Sequence, residues 1–344
     1  MTTKQCFLLQ HGLSLSKSSA FGTCCYNNTD PQNYSSYDVD PVACRTCLDQ
    51  ESNGIYSYRQ GVNQKYGIVH DHRLPMVLEL APNRNCNLTC KICDEYSSSL
   101  WAKLKQIKIL PDYNLPVDNL LDKFAQWDLS QIQEINFSGG EPFLNNNIVR
   151  YLNTLESRID FANCTLRFVT NGTGVLTKQI TNLLKKFKLV QARFSIDDIE
   201  IGYEYQRPPA KWIEVESNWK HFLDHMPHNT MAAINRTVSV LNINRLHLLD
   251  KWHEDSFKWS RFQDTIELID HFAFGEYNVD TVPSALKQLI QHEHGVHSRA
   301  WNYVKDRTLN ENIDVLQETI RYHDKLHNTN MQQFDPKLYK VLFG

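Results

Sequence analysis

No stretch of the 344-residue chain is long and apolar enough to cross a bilayer. No internal repeat and no low-complexity tract is present, which argues against a solenoid or a disordered tail. The segment Met1 to Leu15 has one early Lys and a short apolar patch, but neither a signal-peptide core nor a small-residue cleavage site, so a cytoplasmic protein is expected. Charge of one sign is also lacking. A net charge of -3 and a pI near 6.5 argue against bulk nucleic-acid binding and leave room only for a local basic groove. The remaining composition, 41% hydrophobic and 22% charged, is that of a globular chain, long enough for one large domain with an appendage or for two domains.

Cysteine, by contrast, is plentiful and clustered. Eight of the nine lie in the first 93 residues: Cys6, Cys24, Cys25, Cys44, Cys47, Cys86, Cys90 and Cys93. In a reducing compartment such clusters point to metal ligands before disulfides. Cys164 stands apart in the apolar run Cys164-Thr-Leu-Arg-Phe-Val and reads as a buried strand thiol.

Residues 1–66 are rich in Ser, Asn, Tyr and Cys with little periodicity, and read as a small irregular domain needing a metal staple. From Leu74 the pattern changes. Strands are expected over 76–82, 132–138, 164–170, 189–197, 233–243 and 265–274. Helices are expected over 95–109, 117–127, 146–158, 176–187, 211–225, 246–256 and 283–293. This alternation predicts an α/β fold with parallel strands and crossover helices, two strands short of a full eight-stranded barrel. The expected divisions are 1–66, 74–296 and a helical tail over 297–344.

The strongest chemical signal is Cys86-Asn-Leu-Thr-Cys90-Lys-Ile-Cys93, directly after the first strand of this series. Loops at strand C-termini are where barrels place chemistry. Three thiolates at this spacing can ligate three irons of a cubane and leave the fourth open, unlike the four-Cys sets of electron-transfer clusters. A structural zinc site completed by a distant Cys or His is the alternative. One βα unit later comes Phe137-Ser-Gly139-Gly140-Glu141-Pro142, where two glycines permit close backbone approach and Glu141 offers an acceptor to an ammonium group. Taken alone, that run is also an ordinary strand-to-helix turn.

Together the two motifs resemble the radical S-adenosylmethionine (SAM) superfamily, whose signature is CxxxCxxC after the first barrel strand and GGEP after the second. The resemblance implies a partial (β/α)6 barrel, a [4Fe–4S] cluster on Cys86, Cys90 and Cys93, and SAM chelated at the open iron. Reductive cleavage of SAM would give a 5′-deoxyadenosyl radical that modifies a substrate. The residue before the third Cys, often aromatic in that family, is Ile92 here. Thr170-Asn171-Gly172 and Ser195-Ile-Asp197 end the third and fourth strands; by family similarity Asn171, Ser195 and Asp197 join Gly139, Gly140 and Glu141 around SAM. Arg207, in Tyr203-Glu-Tyr-Gln-Arg207, resembles a carboxylate-binding Arg of the SPASM/twitch branch. Asn235 and Arg236 are weaker candidates.

The N-terminal region resembles a twitch-type auxiliary-cluster domain placed before the barrel, through Cys6, Cys24-Cys25, Cys44-Arg-Thr-Cys47, Glu51-Ser-Asn-Gly54 and Ser57-Tyr-Arg59-Gln. Asp324 and Asp335-Pro336-Lys-Leu are similar to the same branch. A second [4Fe–4S] cluster on Cys6, Cys24, Cys44 and Cys47 is implied, with Cys24 favoured over Cys25 and a zinc knuckle as the alternative. The expected partners are an electron donor such as flavodoxin or ferredoxin and a peptide or protein substrate lying across the mouth of a laterally open barrel, walled by the N-terminal region. No membrane partner is expected. A noncatalytic zinc-stabilised binding protein is the competing class. His70, His72, His292, His294 and His297 read as solvated surface residues, and Trp252, Trp259 and Phe262 as packing.

Overall fold

Alternating burial builds the central sheet of the structure, a computed structural model describing residues 5–15, 21–24, 38–52, 56–68, 74–108, 114–257, 266–273, 275–279, 281–310 and 312–344. Cys25, His70, His72, Trp259 and Phe262, named above, and part of the Glu51–Gly54 motif lie outside the described residues. The strands are β1 (Gly12–Leu15), β2 (Phe21–Gly22), β3 (Val77–Leu80), β4 (Glu134–Phe137), β5 (Thr165–Thr170), β6 (Leu189–Ser195), β7 (Thr230–Val238) and β8 (Glu267–Phe272). They form one sheet in the order β2-β1-β3-β4-β5-β6-β7-β8, parallel throughout except for β2 against β1. The result is the expected α/β fold, and every expected strand window overlaps a strand.

On β5, β6 and β7 buried residues alternate with half-buried ones, or with exposed Met231 at the start of β7. Leu166, Phe168, Val190, Ala192, Phe194, Ala232 and Ile234 form the buried face. Crossover helices such as Trp212–His225 cover it, with Trp219 and Phe222 edge-on to Phe194. The opposite face carries polar and charged side chains, a division that the period-2 pleat makes possible.

Two strands come from the segment read as irregular. β1 pairs in parallel with β3, in register from Gly12↔Val77 to Leu15↔Leu80. Its four residues are too few to show periodicity, yet Leu13 and Leu15 are fully buried. β7 lies over 230–238, not 233–243, because Asn242 turns the chain. Its side chain accepts from the Ser239 amide (2.8 Å) and donates to the carbonyls of Asp197 (3.0 Å) and Thr237 (2.9 Å). Helix Glu200–Gln206 lies outside every expected helix window, and the short parallel pair β9 (Thr281–Val282) and β10 (Thr308–Leu309) gives no signal at two residues each.

A second apolar core runs from Tyr205 and Val238 through Leu286 and Ile290 to Ile320, Phe334 and Leu342, so it crosses residue 296 without interruption. The tail is helical, as expected. Its last helix, Pro336–Phe343, starts on Asp335, whose carboxylate accepts from the Leu338 amide (2.9 Å) ahead of a proline in the first turn. Ile92 packs against both cores.

Candidate active site

The loop after β3 is anchored on several sides. The Thr89 and Lys91 amides donate to the carbonyls of Pro208 (2.7 Å) and Gln206 (2.9 Å), strapping the loop to residues 206–208. Fully buried Trp101 donates its indole N–H to the Cys90 carbonyl (2.9 Å), and Ser98 Oγ donates to the Leu88 carbonyl (2.6 Å). Lys91, between the second and third Cys, has no exposed side-chain surface. It bonds Asp324 Oδ1 (2.7 Å) and Thr329 Oγ1 (3.0 Å) and lies 3.6 Å from the centre of the Tyr205 ring. Helix Asp314–His327 therefore holds the Cys loop from the C-terminal side.

Gly139 and Gly140 sit at φ +81° and +58°. A Cβ on Gly139 would meet the Asn83 carbonyl oxygen at 2.5 Å, and one on Gly140 the Asn85 carbonyl oxygen at 2.3 Å. The close approach these glycines permit is to the backbone just before Cys86. The Glu141 amide adds a hydrogen bond to the Asn85 carbonyl (2.7 Å). Glu141 itself is 1% exposed, and both carboxylate oxygens are engaged: Oε1 by Thr170 Oγ1 (2.6 Å) and the Phe143 amide (3.0 Å), Oε2 by the Asn171 amide (2.6 Å). Burial raises its pKa, against the pull of these donors. The group offered in the sequence reading to a ligand's ammonium is thus a buried tie between the ends of β4 and β5.

That tie sets Asn171. Its Nδ2 donates to Cys86 Sγ (3.7 Å) and Asn87 Oδ1 (3.1 Å), while its Oδ1 accepts from the Thr173 amide (2.9 Å). Tyr203 Oη donates to its carbonyl (2.8 Å). Arg207 is equally specific. Its Nε and Nη2 bond Asp197 Oδ2 at 2.7 Å, and Nη1 donates to Cys90 Sγ at 3.6 Å. Asp197 Oδ1 accepts from the Thr237 amide (2.7 Å). Burial opposes the Arg207 charge, but Asp197 and Cys90 outweigh it and hold the guanidinium well above its ordinary value. Expected to meet a ligand carboxylate, Arg207 is here paired with Asp197 and a thiol. Ser195 is half-buried at the end of β6, beside Asn235 of β7.

Cys90 is buried, Cys86 half-buried and Cys93 exposed. Burial pushes the Cys86 thiol up to about 11. The Cys90 and Cys93 thiols share a hydrogen bond that raises Cys90 and lowers Cys93. Donors aimed at two of the three sulfurs suit anionic thiolates, so this set fits a three-Cys cluster. Among the described residues no three His, Cys, Asp or Glu side chains stand together as ligands of a single ion would.

The N-terminal thiols occupy the opposite end of β3. Cys6, Cys24 and Cys44 pack into a small core with Phe7, Leu8, Val62 and Val77, the first residue of β3. Burial pushes Cys6 up to about 12, with Cys44 and Cys47 adding to it. Arg59 ties this segment together, bonding Glu51 and the Gln5 carbonyl (2.7 Å). Helix Tyr58–Tyr66 reaches β4: Lys65 and Tyr66 Oη bond Glu134, and Tyr58 Oη accepts from Asn136 Nδ2 (2.9 Å). The segment thus packs along the start of β4, where the expectation was a wall at the barrel mouth. His292 and His297 are exposed, and His294 bonds the Asn244 carbonyl (2.9 Å). Trp252 packs on Trp212, as expected.

Asn87, Thr173 and Tyr203 were not singled out in the sequence. Neither was Lys91, whose place inside the Cys motif was the available signal.

Residues 80–232 carry a domain that matches the Radical SAM superfamily. No curated protein matches the sequence. Among solved structures, native anSMEcpe with bound AdoMet aligns at 16% identity and a TM-score of 0.45, over 69% of this chain and 64% of that one. The same protein with bound AdoMet and Cp18Cys peptide aligns at 15% identity and a TM-score of 0.40, over 59% and 55%. The chain thus spans less than two thirds of either structure's length.

Proposed function

We propose that this chain is a radical SAM enzyme acting through a [4Fe–4S] cluster on Cys86, Cys90 and Cys93. The observation that carries the reading is the convergence of Asn171 and Arg207 on the sulfurs of Cys86 and Cys90, within the domain matched over residues 80–232. When bound, such a cluster supplies the electron that cleaves SAM to methionine and a 5′-deoxyadenosyl radical. The chain's own residues hold the thiolates in place. Gly139 and Gly140 let the second loop close on the first, Glu141 orients Asn171, and Asp197 orients Arg207. SAM itself would lie at the C-terminal ends of β4 to β6, where Ser195 is half-buried. Exposed Cys93 marks the side from which a flavodoxin or ferredoxin would deliver electrons.

The finer reading is the SPASM/twitch branch, with Cys6, Cys24, Cys44 and Cys47 holding an auxiliary [4Fe–4S] cluster. The packing of Cys6, Cys24 and Cys44 in one small core, with Cys47 acting electrostatically on Cys6, supports it. A peptide or protein side chain is the proposed substrate class, because the sheet is open, with β2 and β8 as its edges.

The test is 5′-deoxyadenosine formation under dithionite. Alanine at Cys86, Cys90 or Cys93 should abolish it, and wild-type yields from any one would sink the assignment. The triple variant should retain about four irons per chain; zinc in their place would make the N-terminal site a knuckle.

A further inference from the structure

The sheet face turned away from the crossover helices carries polar groups of which the reading above uses only Ser195. This face shows Arg167 and Val169 on β5, Gln191, Arg193 and Ser195 on β6, Ala233, Asn235 and Thr237 on β7, and Glu267 and His271 on β8. The register places Arg193 between Val169 and Ala233, neither of which can bond it, and Ala233 leaves space beside the guanidinium. Arg167 is already engaged: Nη1 with Glu134 at 3.1 Å and Nε with Gln191 at 2.8 Å. Glu134 also takes Lys65 and Tyr66.

Arg193 makes no hydrogen bond or ion pair among the described residues, although it is half-buried. Burial and the like charge of Arg167 both lower its pKa, and Glu267 and Glu134 only partly offset them. Its charge also lowers the pKa of His271, after burial. Among the described residues, then, this half-buried cation has carboxylates acting on it only electrostatically, Glu267 and Glu134, and none bonded to it. Two acceptors on the same face are orphaned too: Asn136 Oδ1 and Asn235 Oδ1 are buried without a partner. Buried polar groups are ordinarily satisfied, so a fork-shaped donor and two bare acceptors on one face of the sheet leave bonding capacity for a ligand.

We propose that this inner face binds an oxyanion, a carboxylate or phosphate, of the molecule that the radical SAM domain modifies, with Arg193 as its principal cation and Asn136 and Asn235 accepting from N–H or O–H groups of the same molecule. The assignment of that molecule as the substrate rests on the radical SAM reading; the anion site itself does not. Arg193 lies two residues, or ~7 Å, below Ser195 at the rim of β6. A ligand gripped there projects its other end toward the loop of Cys86 and Cys90.

The experiment uses the full-length, cluster-loaded protein under anaerobic conditions. Arginines are labelled with phenylglyoxal, with and without inorganic phosphate, at constant ionic strength set by chloride, and the labelled positions are read by peptide mass spectrometry. Arg193 should label readily, and saturating phosphate should slow it by about fivefold or more, since protection follows 1 + [L]/Kd. Arg167 should label slowly in both conditions. The phosphate-induced rise in melting temperature should vanish in Arg193→Gln and be partly kept in Arg193→Lys. Unprotected Arg193 overturns the proposal. So does protection by SAM alone to which phosphate adds nothing, because the anion held there would then be SAM's own carboxylate. A chain that forms no 5′-deoxyadenosine yet shows phosphate protection would refute the radical SAM reading and leave the anion site standing.

Discussion

Arg207→Gln offers a direct measure of what the guanidinium does at 3.6 Å from Cys90 Sγ. Removing it withdraws a buried positive charge from beside a thiolate ligand and should make cluster reduction harder. If the added electron is delocalised over the cluster, its mean distance from the guanidinium is roughly twice that to Sγ, ~7 Å. At an effective dielectric of about 20 the lost attraction is ~2.4 kcal/mol. For one electron that corresponds to a shift on the order of 100 mV to more negative potential. Unmasking the Asp197 carboxylate acts in the same direction; Asp197→Asn in the same chain separates the two contributions. Arg207→Lys keeps the charge without the fork and should fall between. Asn171→Ala, which removes one neutral N–H···S contact at 3.7 Å, should shift the potential by only a few tens of millivolts. The assay is an electron paramagnetic resonance redox titration at fixed pH, with iron quantified in the same samples. An Arg207→Gln protein with full iron content and an unchanged potential would refute the electrostatic role and leave Arg207 as packing.

Three further outcomes follow from the same geometry. Gly140→Ala should cost at least about 1–3 kcal/mol and lower iron content as well as SAM affinity, because its Cβ would press on Asn85, next to Cys86; full iron loading would contradict this. Asp324→Ala should destabilise the chain by about 3–5 kcal/mol in urea unfolding by leaving Lys91 buried without the carboxylate that supports its charge, and Lys91→Met in the same chain should recover much of that; a loss under ~1 kcal/mol would mean the pair is dispensable. Burial, helped by Lys91, depresses His323 to about 4, below its unfolded value of about 6.5. The unfolded chain therefore binds the extra proton, and stability present above pH ~6.5 should fall as pH drops toward 4, by up to roughly 3 kcal/mol; His323→Gln apoprotein should show a flatter profile in that window.

The sheet was legible because its chemistry is periodic. Thr165–Thr170 and Leu189–Ser195 alternate cleanly, and each is long enough for period 2 to register. Gly12–Leu15 is not, and no local pattern marks it; its strand character comes from pairing with Val77–Leu80, across more than sixty residues. The Cys loop and the GGEP loop were legible as motifs, but the motif does not say what a glycine makes room for. In this fold the close contact is with Asn83 and Asn85 of the neighbouring loop. Arg207 illustrates the same limit. A guanidinium suits any carboxylate, and Asp197, ten residues earlier, reaches it first.

Four separate parts of the chain meet at the Cys loop: residues 138–141 through glycine contact, Asn171 through Cys86, residues 206–208 through two backbone bonds and Arg207, and Asp324 through Lys91. A flexible loop of eight residues would pay conformational entropy each time it gathered three thiolates. Here that cost is met on folding, so ligand geometry depends on contacts far away in sequence. Asp324, 231 residues beyond Cys93, has no reach to the thiols themselves, yet the position of Lys91 between Cys90 and Cys93 makes its carboxylate part of the support for both. Loss of helix Asp314–His327 should therefore be felt first as poor cluster retention, before the sheet melts, because β4 to β6 are packed on a core that does not include it, and β7 reaches the core that does only through its last residue, Val238.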